Sequence, residues 1–243
     1  MTAAPLHFRG ERLMLDPLGA VVWPDAGLLA VADLHFEKGS AAARRGSLVP
    51  PWDTGLTLDR LGLLLRRWRP RRVVALGDSF HDAHGHARML PGDAARLRAM
   101  TEAAEWVWVL GNHDPLPPGG FAGVAADAWQ EGPLVFRHEA QPGAMGELCG
   151  HHHPKASIPT RAGAVTRPCF VADARRVMLP AMGAYTGGLD VAHPAIAGLF
   201  RHPARAFLLG QDRLFSFTLA QAAASARAQG AMDAARQKPI YLE

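Results

Sequence analysis

Short runs of aliphatic, β-branched and aromatic residues at 27–32, 73–76, 105–110, 134–137 and 147–149 each break off abruptly into polar residues. Runs of this length, bounded by such residues, read as buried strands. The strings that follow them are Asp33-Leu34-His35, Gly77-Asp78, Gly111-Asn112-His113-Asp114, His138, and Gly150-His151-His152-His153. Helical periods fall between some of the runs. Leu56, Leu58, Leu61, Leu64, Leu65 and Trp68 mark one apolar face, with Thr54 as N-cap and Pro70 as terminator, and a second helix is expected near 94–102. Strand, polar loop and helix in alternation is an α/β pattern, in which loops at the C-terminal strand ends converge on one crevice.

Upstream, residues 13–15 and 20–23 flank Asp16-Pro17-Leu18-Gly19 and predict a hairpin. After Pro115 the runs at 134–137, 147–149, 169–172, 177–179, 206–209 and 214–217 are joined mostly by loops, which predicts a second sheet. The Ala- and Gln-rich tail predicts a weakly anchored helix over 219–237. With 243 residues, 49% of them hydrophobic, and no linker, residues 1–243 are expected to form a single domain with a sizeable core. No apolar run approaches the roughly 20 residues that cross a bilayer, and the first 24 residues lack a basic start followed by an apolar core. A soluble, cytoplasmic protein with no membrane partner is the expectation. Two cysteines, Cys149 and Cys169, in no CxxC spacing, exclude a disulfide framework and a thiolate zinc site, and read as small buried hydrophobes.

The composition also carries twelve histidines, five of them within residues 112–153. Together with Asp33, Asp78 and Asn112 they supply carboxylate, amide carbonyl and neutral imidazole, a mixture suited to Mn²⁺, Fe²⁺ or Zn²⁺. In Asp33-Leu34-His35 and in His151-His152-His153, alternate residues can point the same way from an extended backbone. The net charge of +4 favours polyanionic partners. Arg44 and Arg45 lie midway in the long segment 39–54, where they can contact phosphates flanking a reacting one or stand as a solvated pair on a short helix. Tyr185, beside Gly187 and Gly188, can stack on a base or close a turn of the second sheet. His81, His84 and His86 after Gly77-Asp78 read as a solvated loop, with His81 the best placed of them to meet a substrate instead.

The ordered set DxH, GD, GNHD, single His and GHxH, spanning roughly residues 28–153, resembles the calcineurin-like metallophosphoesterase superfamily. That resemblance implies a four-layer α-β-β-α sandwich of two mixed sheets flanked by helices. It implies two divalent ions, Mn²⁺ first among them: Asp33, His35 and His153 on one, Asn112, His138 and His151 on the other, and Asp78 bridging. It further implies attack on phosphorus by a metal-bridging hydroxide, with His113 donating to the phosphate and protonating the leaving group while Asp114 orients it.

Three further strings, ADLHFEKG followed by AARRG and LVPPWDT, LGDSFHD, and LPAMGAYTGGLD, are similar to the ligase-associated DNA damage response endonuclease PdeM group and extend the match to about residues 10–217. What this implies is a phosphodiesterase acting on DNA in repair, in functional association with a DNA ligase, a helicase and an exonuclease-like protein. Two other functions share the fold: hydrolysis of a small nucleotide-type phosphoester, and a non-catalytic scaffold. Every position of the metal set is present in this sequence, which argues against the scaffold.

Overall fold

The computed structural model describes residues 1–160, 163–201 and 203–222. Two mixed β-sheets pack face to face. The first runs in sequence order: β1 (Ala4–Phe8), β2 (Glu11–Leu15), β3 (Val21–Trp23), β4 (Leu28–Val31), β5 (Arg72–Leu76), β6 (Glu105–Val109) and β7 (Val124–Ala126). Strands β1 to β4 form an antiparallel meander, and β4 to β7 are parallel. The parallel half needs crossovers, and these carry helices α1 (Lys38–Arg44), α2 (Asp53–Trp68), α3 (Gly85–Arg88) and α4 (Pro91–Glu102).

The second sheet contains β8 (Ala128–Glu131), β9 (Leu134–Arg137), β10 (Glu147–Cys149), β11 (Lys155–Thr160), β12 (Gly163–Ala172), β13 (Arg176–Met178), β14 (Arg205–Leu209) and β15 (Leu214–Thr218), with α5 (Pro194–Ala197) before β14. Its order is β15-β14-β12-β13-β10-β9-β8, and β11 pairs with the outer half of β12. Strand β10 is parallel to both neighbours, β9 and β13. Both sheets therefore hold a parallel core whose C-terminal ends release the polar strings.

Three apolar layers hold the stack. Between the sheets, Leu13, Leu15, Ala30, Val74, Leu76, Val107 and Val109 meet Leu134, Phe136, Leu148, Phe170, Val177 and Phe207. On the far face of the first sheet, Leu29, Val31, Val73, Ala75, Trp106 and Trp108 bury Leu58, Leu61 and Leu64 of α2 and Leu97 of α4. This two-sided burial explains why the parallel strands read as unbroken apolar runs. The outer face of the second sheet is covered by Val191, Ile196 and Phe200, so this fourth layer is a short helix with its loops.

The helix expected after Thr54 starts two residues earlier and is capped otherwise. Trp52 occupies the N-cap, and Thr54 turns its hydroxyl away to donate to Oε1 of Glu37 at 2.9 Å. Leu56 lies off the apolar face and is exposed, whereas Leu58, Leu61 and Leu64 are fully buried. Cys149 and Cys169 are both buried and free, and burial pushes both thiols up. Residues 219–222 begin a helical turn, with Leu219 and Ala222 in the core, and the rest of the expected tail helix lies outside the described residues. No helix among the described residues is long and apolar enough to cross a membrane.

Candidate metal centre

Asp33 leaves β4, Asp78 leaves β5, Asn112 leaves β6, His138 leaves β9, and His151 and His153 leave β10. The facing sheets bring these ends to one rim of the sandwich. Asp33 is fully buried, and its carboxylate accepts the backbone N–H of His151 at 3.0 Å and lies 3.3 Å from Nε2 of His153. Nε2 of His153 lies 3.2 Å from Nε2 of His35. On the other side, Oδ1 of Asn112 lies 2.9 Å from Nε2 of His138 and 3.1 Å from Nδ1 of His151, and those two nitrogens are 3.1 Å apart. Asp78 stands between the groups: its Oδ2 is 3.7 Å from Nε2 of His35 and 3.4 Å from Nε2 of His138.

Two sets of donors result, each converging within 4.8 Å: Asp33, His35, Asp78 and His153 in one, Asp78, His138 and His151 in the other. The donor chemistry fits a pair of divalent cations. Each set mixes carboxylate oxygen with imidazole nitrogen, and nitrogens facing each other at 3.1–3.2 Å cannot all carry protons. Burial pushes the His35 imidazole down to about 2, with the neighbouring His153 adding to the shift, so it stands neutral, the form that ligates a metal. His138 has its tautomer set from behind: Nδ1–H donates to the carbonyl of Leu76 at 3.0 Å, leaving Nε2 to face Asn112 and Asp78.

The backbone is bent to hold this arrangement. Asp33, His35, Asp78, His151 and His153 have φ of 53°, 44°, 48°, 72° and 48°, the left-handed region that side chains other than glycine rarely adopt. Such conformations cost on the order of 1–3 kcal/mol each and concentrate where surroundings fix a functional geometry. Two glycines make room. A Cβ on Gly77 would overlap the His138 ring, and one on Gly111 would overlap the carboxylate and amide of Asp78.

His113 and His81 face the open side. The rings stack with centroids 5.0 Å apart, and Nδ1–H of His113 donates to the carbonyl of His81 at 2.9 Å. Nδ1 of His81 lies 3.3 Å from Nδ1 of His35, and burial lowers the His81 imidazole to about 4. Asp114, the expected orienting partner of His113, makes no hydrogen bond with it. Its carboxylate accepts the backbone N–H groups of Gly111 and Phe80 at 3.2 and 3.0 Å, and burial raises it to about 6. The residue therefore ties together the Asp78 and Asn112 loops.

Arg45 approaches the cluster, with Nη2 3.4 Å from Nε2 of His81. Arg44 is exposed in the last turn of α1 and makes no hydrogen bond or ion pair with a described residue. Tyr185 stands part-exposed at the rim; the loop beneath it is held by Gly183 N–H donating to the Asp33 carbonyl and Ala184 N–H to Oγ1 of Thr57. A cleft of about 250 Å³, lined among others by Asn112, His138, Asp127, Arg137 and Glu139, opens beside the second donor set. Sequence reasoning missed Glu139, whose Oε1 is 3.7 Å from Nε2 of His151, and the half-buried Lys38 and Lys155 next to the first set. A lone charged residue in a loop or at the first position of a helix or strand gives no pattern from which to find it.

The structure is similar to that of a Pseudomonas putida nuclease, MPE, at 30% identity and a TM-score of 0.67, covering 88% of this chain and all of that one. The chain belongs to the metallophosphoesterase superfamily. An Escherichia coli phosphoesterase, YfcE, also matches, at 16% identity and a TM-score of 0.36 over 80% of this chain and 94% of that one. No family model and no curated protein matches the sequence. Membership of the superfamily and the paired donor sets together make this a metal-dependent phosphoesterase.

Proposed function

We propose that the protein is a dinuclear phosphodiesterase that cleaves nucleic acid, with DNA as the substrate and repair as the setting. The observation that carries this reading is the position of Asp78 Oδ2 between His35 and His138, where one carboxylate serves two donor sets. The similar P. putida protein is a nuclease. The narrower sequence strings support DNA and the functional association with a ligase, a helicase and an exonuclease-like protein.

In this reading Asp33, His35 and His153 would hold one cation, Asn112, His138 and His151 the other, and Asp78 would serve both. The pair, Mn²⁺ by preference, would supply Lewis acidity, making water nucleophilic near neutral pH and neutralising charge on the phosphoryl oxygens. His113 protonates the leaving alkoxide from Nε2, because Nδ1 is committed to the His81 carbonyl. His81 and Arg45 present nitrogens to a phosphate oxygen on the side of the first donor set.

The test is a metal-reconstituted assay with Mn²⁺, Fe²⁺ or Zn²⁺ on a nitrophenyl diester, a nitrophenyl monoester and single- and double-stranded oligonucleotides. Cleavage of diester and oligonucleotide, lost in Asp78→Asn, is expected. Turnover of the monoester alone would replace this reading with a small-molecule phosphatase, and no turnover with no metal uptake would leave a scaffold.

A further inference from the structure

The chain has three lysines against a large excess of arginine, and two of them, Lys38 and Lys155, are half-buried beside the first donor set. Lys38 opens α1, three residues after His35, and Lys155 opens β11, two residues after His153. Arg45 closes the third side: it meets Nε2 of His81, while Nδ1 of the same ring faces His35. Lys38 lies close enough for its charge to act on His35 and His81, and Lys155 close enough to act on Lys38, so the three cations lie on the side of the first donor set, with Arg45 one imidazole ring further out than the donor atoms.

None of the three cations forms an ion pair with a carboxylate among the described residues. Lys38 makes no hydrogen bond or ion pair with a described residue, and Nζ of Lys155 reaches only the carbonyl of Thr186, at 3.5 Å. Asp53 is the carboxylate that attracts Lys38, and it already accepts the N–H of Gly39 at 2.9 Å. The buried carboxylate next in sequence, Glu37, accepts from Thr54. Burial, and then the charges of Arg45 and Lys155, lower the Lys38 ammonium below its ordinary value, so like charges are held together partly out of water. The opposite end of the centre is mixed in charge, with Arg137 of the cleft paired to the buried Glu147. Glu139 stands against His151, and Asp127 lines the cleft beyond Asn112. A polyanion crossing the centre is drawn toward the lysine side.

We propose that Lys38, Arg45 and Lys155 form an anion subsite that takes the phosphate next to the scissile one, so that the enzyme distinguishes a diester inside a phosphorylated chain from an isolated diester. This rests on the phosphodiesterase reading and adds the residues that select among its substrates. Arg45 supplies a planar fork and the lysines two point charges, a combination suited to a phosphate whose orientation varies along a flexible strand.

The experiment compares a thymidine dinucleotide with and without a terminal phosphate. Binding is measured by calorimetry on metal-reconstituted His113→Ala protein, and kcat/KM on the wild type. The terminal phosphate is expected to tighten binding and raise kcat/KM at least tenfold, and Lys38→Met with Lys155→Met to cut both gains below twofold. Lys38→Arg with Lys155→Arg restores the gains, and the melting temperature and metal content of each variant show that the centre is intact. Should the double variant fail to fold, Lys155→Met alone is expected to halve the logarithm of the gain. A terminal phosphate that brings no gain in the parent proteins, or a gain that survives the Met substitutions, overturns the subsite. A wild type that binds the phosphorylated dinucleotide preferentially but hydrolyses no diester leaves the subsite standing and removes the phosphodiesterase reading.

Discussion

Nδ1 of His113 lies 2.9 Å from the carbonyl oxygen of His81, a residue of a different loop. A backbone carbonyl accepts only, so this nitrogen is the donor, and Nε2 is the atom left to exchange a proton. Nε2 is 4.0 Å from Oδ2 of Asp78, at the edge of the space between the two donor sets. The orientation of the ring thus comes from main chain, which no side-chain substitution at position 81 removes outright.

That geometry separates substrates by leaving group. His113→Ala is expected to lower turnover of an oligonucleotide by about 10²- to 10⁴-fold, the range for loss of a general acid. A nitrophenyl diester, whose nitrophenolate departs without needing a proton, should lose under tenfold. Steady-state rates on both substrates decide it, and equal losses would mean that His113 serves binding or structure.

Gly77→Ala attacks the centre from behind. The added Cβ overlaps the His138 ring, and φ of 75° at this position strains any residue with a side chain. His138 must then give up its bond to Leu76 or its place by Asn112. Metal affinity at the second donor set is expected to fall on the order of 10- to 100-fold, as when an orienting partner is lost. Competition with a chromogenic chelator measures it, and unaltered affinity would show that the ring does not ligate.

The donor residues were legible because each polar string sits directly after an apolar run, and the parallel strands are apolar enough to mark those ends without ambiguity. Other features left no such trace. The hairpin of β11 and outer β12 is exposed and built on Ser157, Pro159, Thr160 and Gly163, so it lacks the alternation that reveals a strand with one buried face. Thr54 looked like a helix cap because Ser and Thr usually serve there, but tertiary contact with Glu37 claims its hydroxyl. Asp114 is an orienting partner for His113 by resemblance alone. Its real partners are main-chain amides of Phe80 and Gly111, which have no residue-type signature.

In the metal-free protein His35 makes folding sensitive to acid. Its folded pKa, about 2, lies below the ordinary 6.5, so between these values the unfolded chain binds the extra proton. Its contribution is fully present above pH 6.5 and is lost as pH falls toward 2, at up to about 1.4 kcal/mol per pH unit. Asp114, raised to about 6, acts with opposite sign between about 4 and 6, and His81, lowered to about 4, acts with the same sign as His35, so the wild-type profile mixes several groups. The difference between wild type and His35→Asn isolates the histidine. Urea unfolding in EDTA from pH 7.5 to 4.5 should show that difference growing against the wild type as pH falls, and a constant difference would contradict a buried neutral imidazole.

Asp114 supplies the last expectation, because its two possible roles predict opposite results. As the acceptor for Gly111 N–H and Phe80 N–H it fixes the loops that carry Asn112 and Asp78. Asp114→Ala leaves two amides in a buried site without their partner, at a cost of about 1–3 kcal/mol each. Melting temperature and metal content should therefore both fall, and the nitrophenyl diester should be lost along with the oligonucleotide. Asp114→Asn retains one acceptor oxygen and turns an amide N–H₂ toward the other donor, so it should be intermediate in all three measures. An aspartate acting through His113 would spare stability, metal content and the nitrophenyl substrate, and would impair only the oligonucleotide. Calorimetric melting and elemental analysis of the two variants, beside His113→Ala, separate these outcomes.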